Sequence, residues 1–397
     1  MNGVSNKPYV LLVDTPSSDG HALPPEAIQQ RSWEPLRIPD MEKALEIIQA
    51  HEVAVVVVDC GNDKDDWRLF LSRLKIHDVM VIRLVPKPGN VEDQGSLVQL
   101  HQILTAHCDP DELIAAIERS FKTWVWLQAN PMLDTLLAQL RYLPSLPSLY
   151  FALQDEINAP CSNIRRIAKL LVRDAPLVAR VLRIANSGFY AHPREITDIH
   201  EAVSLLGHDL LLGIVLSAHL IDTLPLPGLK PEVLWKHNFT VARVAGKIAR
   251  MNGCSADLIQ SAGLAGLLHD IGSLVLLANL PDSYPTLLRK AGTDEKQLIE
   301  LERQRWGGGH SDIGAMVLNL WNLADPVVEA VALHHDLDGE TFHQANPVAQ
   351  AVFAAESLVR GYRIYGRDAL ANFEAELPFL NAPDLYDACA PLVSVGR

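Results

Sequence analysis

A chain of 397 residues with 48% hydrophobic and 21% charged residues holds enough material for two or three domains and a sizeable core. Its formal charge of −14 disfavours nonspecific binding to nucleic acid or anionic membrane, and no apolar run reaches the roughly 18 residues that a membrane-crossing helix needs. The opening "MNGVSNKPYVLLVD" lacks the segments of a secretory signal, and the five cysteines show no C-x-x-C spacing, so a cytoplasmic location with reduced thiols is expected.

The first third alternates strand and helix patterns. "YVLLVD" reads as a short strand ending in an acid, and "MEKALEIIQAH" as a helix. "VAVVVVD" is a continuous β-branched run, the mark of a strand buried on both faces. "DDWRLFLSRLK" then reads as a helix, "VMVIRLV" as a strand and "LHQILTAH" as the last strand. "DPDELIAAIERSF" follows as a helix, with Asp109 as N-cap, Pro110 in the first turn and Glu112 three residues after the cap. This alternation predicts an α/β domain with a parallel sheet covered on both faces.

The character changes near Trp124, after which no strand pattern is convincing. "PMLDTLLAQL" puts Leu133, Leu136, Leu137 and Leu140 on one helical stripe, and "YLPSLPSLY" interrupts it with two prolines. "SNIRRIAKLLVRD" and "DAPLVARVLRIANS" predict two helices joined by a tight turn, the second capped by Asp174. They carry Arg165, Arg166, Lys169, Arg173, Arg180 and Arg183, a basic segment for which nucleic-acid binding is the alternative to the favoured reading, a solvated face or a surface for an acidic partner. "LPLPGLKP" is a linker, and helix follows helix to about Tyr362.

Within the second helical block, imidazoles and carboxylates interrupt apolar helices. They are His237, the adjacent His269 and Asp270 in "GLAGLLHDIGSLVLLANL", His310, the pair His334 and His335, and Glu356 in "AVFAAESLVRG". Helices converging from several directions with neutral imidazoles and carboxylates suit a divalent metal. Hydrogen-bonded core histidines are the alternative, and the residues alone leave both open.

The stretches "LPSLPSLYFAL", "RDAPLVARVLRIANSGFY", "EITDIHEAVSLLG", "GLAGLLHDIGSLVL" and "GGGHSDIGAMVLNLWNL" resemble the HDOD family of bacterial signalling proteins, over about residues 138–336. The resemblance implies an all-helical domain related to the HD-type metal-dependent phosphohydrolases. It places His237 at the first His of the HD pattern, His269 and Asp270 at the defining dyad, and Glu356 at the last acid, normally Asp. His310, His334 and His335 fall on the extra histidines of the dinuclear HD-GYP branch. Together these imply a site for Mn, Fe, Zn or Mg, with Glu356 at its edge. Ser273 stands where the "HDxGK" form has Lys, and "DLDGETF" after His335 replaces the GYP signature of cyclic-di-GMP hydrolysis, adding acids where a phosphate would approach.

The first 125 residues resemble a response-regulator receiver, a doubly wound five-stranded α/β fold, with Asp59 at the phosphoacceptor position. Ala106 stands where the phosphate-binding Lys belongs, "VIRLVP" lacks the usual Ser or Thr, and "VDTPSS" offers only Asp14 where a pair of acids holds Mg²⁺. This implies a degenerate receiver whose Asp59 is not functionally phosphorylated. The expected fold class is therefore α/β plus all-α. A receiver-like domain spans 1–125, a helical linker 126–142 and an HDOD domain 143–362, itself divided into 143–223 and 231–362, with a tail over 363–397. The expected function is a cytoplasmic signal-transduction module acting through a protein partner, with self-association open, no membrane and nucleic acid disfavoured. The alternative is a metal-dependent phosphohydrolase acting on a nucleotide or phosphorylated small molecule.

Overall fold

A computed structural model describes residues 7–14, 31–59, 70, 73–74, 79–85, 102–105, 108–140, 143–144, 146–186, 194–224, 231–365 and 382–394. Ala106, most of "DDWRLFLSRLK", the "TPSS" after Asp14, Cys60, and most of the 224–231 linker lie outside the described residues, as do positions 366–381 of the tail. The chain divides into two compact units. One is Met1–Leu143 with Arg303–Gly308 and Asn319–Asn322, and the other takes the remainder from Pro144 onward.

The N-terminal unit is built on five parallel strands: β1 (Tyr9–Asp14), β2 (Glu34–Ile38), β3 (Val53–Asp59), β4 (Met80–Val85) and β5 (Gln102–Thr105), in the order β2-β1-β3-β4-β5. Every residue of the central β3 is buried, as its unbroken β-branched run requires. Leu11, Val13, Val56, Val58 and Val81 pack on one side with Ala44 of helix α1 (Met41–Ala50). Successive strand residues point to opposite faces, so the equally buried Val10, Val55, Val57, Met80 and Ile82 line the other side. Helix α2 (Pro110–Ala129), started by Asp109 accepting from the Asp111 amide with Pro110 in the first turn, packs on β3 and β4. It runs through residue 125 to Ala129, and the compact unit extends to Leu143, where α3 (Asp134–Leu137) buries Leu136 and Leu137. Strand β2 has no counterpart among the sequence expectations. It is an edge strand holding Pro35, and Ile38 alone of its five residues is buried, so neither periodicity nor composition marks it.

The second unit is helical throughout its described residues. Its helices are α4 (Ser148–Asn158), α5 (Ile164–Leu171), α6 (Ala175–Ala185), α7 (Ile199–Leu206), α8 (His208–Thr223), α9 (Pro231–Met251), α10 (Ala256–Leu268), α11 (Ile271–Asn279), α12 (Tyr284–Ala291), α13 (Glu295–Trp306), α14 (His310–Leu320), α15 (Asp325–Leu333), α16 (Gly339–Gln344), α17 (Pro347–Tyr365) and α18 (Ala382–Ser394). Helices α9, α10, α15 and α17 pack on one another at its centre. The stretch Ala256–Asn279 is long and apolar enough to cross a membrane by length and composition, and 78% of that window is buried inside the fold, as a core helix would be. Cys108, Cys161, Cys254 and Cys389 are free thiols.

Candidate metal centre

The side chains singled out in the second helical block meet in one place, and helix ends put most of them there. Helix α10 stops at Leu268 and α11 starts at Ile271, so His269 and Asp270 form the two-residue break between them. The last carbonyls of a helix have no partner within it. His269 uses this: its Nδ1 donates to the Gly266 carbonyl at 2.8 Å, which turns Nε2 toward Asp270 and Glu356. His334, capping α15, repeats the arrangement on the Val331 carbonyl at 2.7 Å, and His335 follows it. His310 is the first residue of α14, while His237 and Glu356 project from within α9 and α17.

Close helix contacts bring these ends together. A Cβ on Gly266 would lie 2.8 Å from the Cα of Ala242, so α9 and α10 touch backbone to backbone near His237 and His269. A Cβ on Gly272 would lie 1.8 Å from the His310 carbonyl oxygen, so only glycine permits α11 to approach α14 and set Asp270 beside His310.

Two groups result. His237, His269 and Asp270 form one, His310, His334 and His335 the other, and within each the ligating atoms all lie within 4.8 Å of one another. Asp270 reaches both: Oδ2 is 3.4 Å from His269 Nε2 and 3.8 Å from His237 Nε2, and Oδ1 is 3.9 Å from His310 Nε2. Nε2 of His335 and Nε2 of His310 are 3.1 Å apart. Glu356 departs from expectation. It is only 2% exposed, and its Oε2 lies 3.3 Å from His237 Nε2 and 3.4 Å from His269 Nε2, inside the cluster and not at its edge. The extra methylene of Glu over Asp is spent reaching inward from α17.

The electrostatics follow from crowding these groups away from water. Burial opposes charge on His269, but Asp270 and Glu356 overcome it and raise its pKa to about 9. At His310 burial is likewise overcome, by Glu302 and then Asp270, again to about 9. His334 is pushed down to about 3 by burial and by the neighbouring His269 and His310, and His335 is driven down by burial and by His334 and His310. Burial would raise Asp270 and Glu356, yet the surrounding imidazoles hold both carboxyls below the usual range. In this balance protonated imidazoles supply the positive charge that two buried carboxylates require.

A divalent cation fits the same residues. Bonds of about 2.1 Å to one first-row ion set its ligand atoms about 3 to 3.5 Å apart, close to the separations here. Nε2 of His334 and Oε2 of Glu356 are buried without a hydrogen bond of normal geometry, which an ion would relieve. Behind the ligands stands a chain the sequence did not reveal. Glu302, 1% exposed on α13, accepts from His310 Nδ1 at 2.9 Å and from the Tyr284 hydroxyl at 2.8 Å, and that hydroxyl meets Ser273 Oγ at 3.1 Å. Such a carboxylate fixes the imidazole tautomer and strengthens it as a ligand.

The cluster opens on a cavity of about 300 Å³ walled by Leu234, Leu274, Leu277 and Leu298. Arg360 and Arg363 line it, as does Glu295, which pairs with Arg360, lies 3.5 Å from His335 Nδ1 and is pushed up to about 7 by burial and by Glu356. Ser273 lines it where the sequence pattern has Lys. The acids of "DLDGETF" do not. Asp338 instead caps α16, accepting from the Glu340 and Thr341 amides, and the acids beside the cavity from outside the cluster are Asp294 and Glu295. In the basic segment, Arg180 pairs twice with Asp222 at 2.8 Å and Arg166 with Glu156 at 2.9 Å, while Arg165, Lys169, Arg173 and Arg183 are exposed. In the N-terminal unit Asp59 ends β3, aligned with Asp14 on β1, and is 4% exposed.

Known proteins resemble this chain. The HDOD domain model matches residues 143–337. A structure from Shewanella amazonensis SB2B, provisionally named a phosphohydrolase, aligns with a TM-score of 0.52 and 23% identity over 66% of this chain and 94% of that one. An HDOD domain protein with unknown function from Geobacter sulfurreducens aligns with a TM-score of 0.50 and 22% identity, covering 68% of this chain and 98% of that one. These two share its fold. An uncharacterized protein of Treponema pallidum (strain Nichols) is 27% identical over 270 residues, 65% of this chain and 48% of the relative, so this chain spans about half that protein's length. The match of that model over residues 143–337 makes this part of the chain an HDOD domain.

Proposed function

We propose that the protein is a cytoplasmic signal-transduction module whose HDOD domain holds divalent metal in the histidine–carboxylate cluster and acts through a protein partner. The convergence of His237, His269, Asp270, Glu356, His310, His334 and His335 carries this reading, because two ligand groups sharing one aspartate are more than a packed core needs. An imidazole-rich set favours Mn, Fe or Zn over Mg, which prefers oxygen ligands. Holding metal across α9, α10, α14, α15 and α17 ties together helices that otherwise meet through buried charge, and its binding energy adds to the stability of the fold.

The N-terminal unit supports the other half of the proposal, a doubly wound receiver-type domain that does not signal by phosphorylation. The strand order β2-β1-β3-β4-β5 is one of the two common doubly wound orders. Asp59 occupies a strand end there but is almost wholly buried, and the sequence offers Ala106 where a cation would have to stand.

A second reading, the metal-dependent phosphohydrolase, is favoured by one feature: the cluster opens on a cavity whose lining includes Arg360 and Arg363. When bound, metal there supplies Lewis acidity and an activated water. The chain would contribute Glu302 and Tyr284 to fix His310, apolar walls to limit solvent, and Glu295 to hold or release a proton near neutral pH. The missing Lys at Ser273 and the absent GYP loop predict no cyclic-di-GMP hydrolysis. Elemental analysis of protein purified without chelator tests the first reading: Mn, Fe or Zn is expected, and protein that carries none and takes up none after dialysis against Mn²⁺ would refute it. Turnover of nucleotides or phosphodiesters at ordinary enzyme rates, lost in Asp270→Ala, would put the second reading in its place.

A further inference from the structure

Helix α5 has two contrasting faces. Ile167, Ala168 and Leu171 are fully buried, and the helix packs against α4 and α7. The opposite face carries Arg165 and Lys169, and the turn that follows continues it with Val172 and Arg173. Spacings of three and four residues set these side chains in one row. At 1.5 Å per residue the row is about 12 Å long. All four are exposed, Val172 by 59%, and Ile164 at the start of the helix is exposed as well. The chain has 48 acids to 34 basic residues, and arginines elsewhere in it find carboxylates: Arg180 takes Asp222, Arg194 takes Glu201 and Arg360 takes Glu295. Arg165, Lys169 and Arg173 have no such partner among the described residues. Two acids adjoining the row are engaged otherwise: Glu156 pairs with Arg166, and Asp174 accepts from the Leu177 amide at 2.9 Å to cap α6.

We propose that this row is the docking surface for an acidic amphipathic helix of a protein partner, with carboxylates on Arg165, Lys169 and Arg173 and an apolar side chain on Val172. The inference rests on the part of the proposed function in which the domain acts through a protein. Charge complementarity calls for acids, and a partner helix with a carboxylate at every fourth position repeats the spacing of the row. Val172 calls for an apolar group among them, because covering an exposed aliphatic side chain is favourable and a phosphate backbone offers nothing to cover it. The charge of −14 opposes a long polyanion, whereas a short acidic segment meets mainly the local field, screened beyond about 8 to 10 Å in physiological salt. The buried face of α5 anchors the row, so little order has to be created on this side of the contact.

The test titrates the full chain into a fluorescein-labelled peptide made of four repeats of Glu-Ala-Ala-Leu and follows anisotropy. Saturable binding is expected, weakening as salt rises, and the same peptide with Gln for Glu is expected not to bind. The double variant Arg165→Glu, Lys169→Glu is expected to weaken binding about tenfold and Val172→Ser about threefold. Lys43→Glu, the same charge change at an exposed site on α1, is expected to titrate as wild type. Circular dichroism establishes folding, and if the double variant does not fold, Arg173→Glu in the exposed turn decides. Absence of saturable binding, or a wild-type titration in the folded double variant, would overturn the proposal. So would an oligothymidylate of the same length that binds more tightly and loses that affinity in the double variant, which would assign the row to nucleic acid. A dimer seen by light scattering that only the double variant dissolves would assign it to a second copy and overturn it likewise. Elemental analysis of the same preparations reads the metal separately. Metal-loaded protein that ignores the peptide defeats the docking surface alone, and metal-free protein that binds it defeats the metal site alone.

Discussion

Asp59 and Asp270 are both acids placed by the end of a regular element next to an apolar core, and their surroundings diverge. Asp59 closes a wholly buried strand in a well-formed parallel sheet and is itself only 4% exposed. Asp270 breaks two helices and stands among four imidazole-bearing segments, close to His237, His269 and His310. A sheet keeps its fold from strand burial alone, so the residues at its rim are free to change. In the helical unit the polar residues lie inside the core, where each depends on the others for its charge, and losing one leaves buried charge behind.

The largest effect is expected at Asp270. Asp270→Ala removes the carboxylate that, among the described residues, approaches both ligand groups, so the metal-dependent rise in melting temperature is expected to vanish. For a metal held at about a thousand times its Kd that rise corresponds to about 4 kcal/mol. Differential scanning fluorimetry with Mn²⁺ and with EDTA reads it, and a variant that keeps the full metal-dependent shift would remove Asp270 from the centre. A smaller effect is expected from Glu302→Gln, which leaves every ligand in place but weakens the acceptor behind His310. Metal affinity should fall about 10- to 100-fold by calorimetric titration, the usual range for such a partner. An unchanged isotherm would mean that Glu302 serves packing alone.

The protons on the buried imidazoles set the pH dependence. Metal needs neutral imidazoles, whereas His269 and His310 hold protons to about 9 in the metal-free protein. Apparent metal affinity should therefore rise between pH 7 and 9 and level off above that. For the metal-free chain the sign reverses. A raised histidine pKa gives stability that is complete below the unfolded value of about 6.5 and is lost as pH rises through about 9. Melting in EDTA should fall across that window and melting with saturating Mn²⁺ should fall less; parallel curves would contradict the charge balance described. The smallest effect belongs to the sheet unit. Asp59→Asn should leave phosphate incorporation from acetyl phosphate at the same negligible level as wild type, and stable incorporation that this variant abolishes would restore a working receiver.

How much of this was legible beforehand depends on what surrounds each residue. His237 and Glu356 interrupt apolar helices, and His269, His310 and His334 adjoin apolar helical runs at their ends, so their inward direction is written in the sequence pattern. Glu302 lies in "EKQLIELERQRW", where charge occurs all around the helix and no period says which acid points in. One clue was present in "WGGGH": a Cβ on Gly309 would sit 2.1 Å from Glu302 Oε2, so that glycine marks the space the carboxylate fills. Glu295, opening the same helix, gave no such sign. The acids after His335 misled because their proximity in sequence suggested proximity to the site, while Asp338 is turned to cap α16. Strand β2 was hidden by Pro35 and by its shallow burial.

The claim that most needs a direct test is that the helical core is a two-centre metal site shared through Asp270. Crystals grown with Mn²⁺ and measured on both sides of the manganese absorption edge would locate the ions without reference to activity. The account predicts two anomalous peaks, one among His237, His269 and Asp270 and one among His310, His334 and His335, each within about 2.3 Å of its ligands. An ordered map with no peak in the cluster, or with peaks only at surface acids, would contradict it.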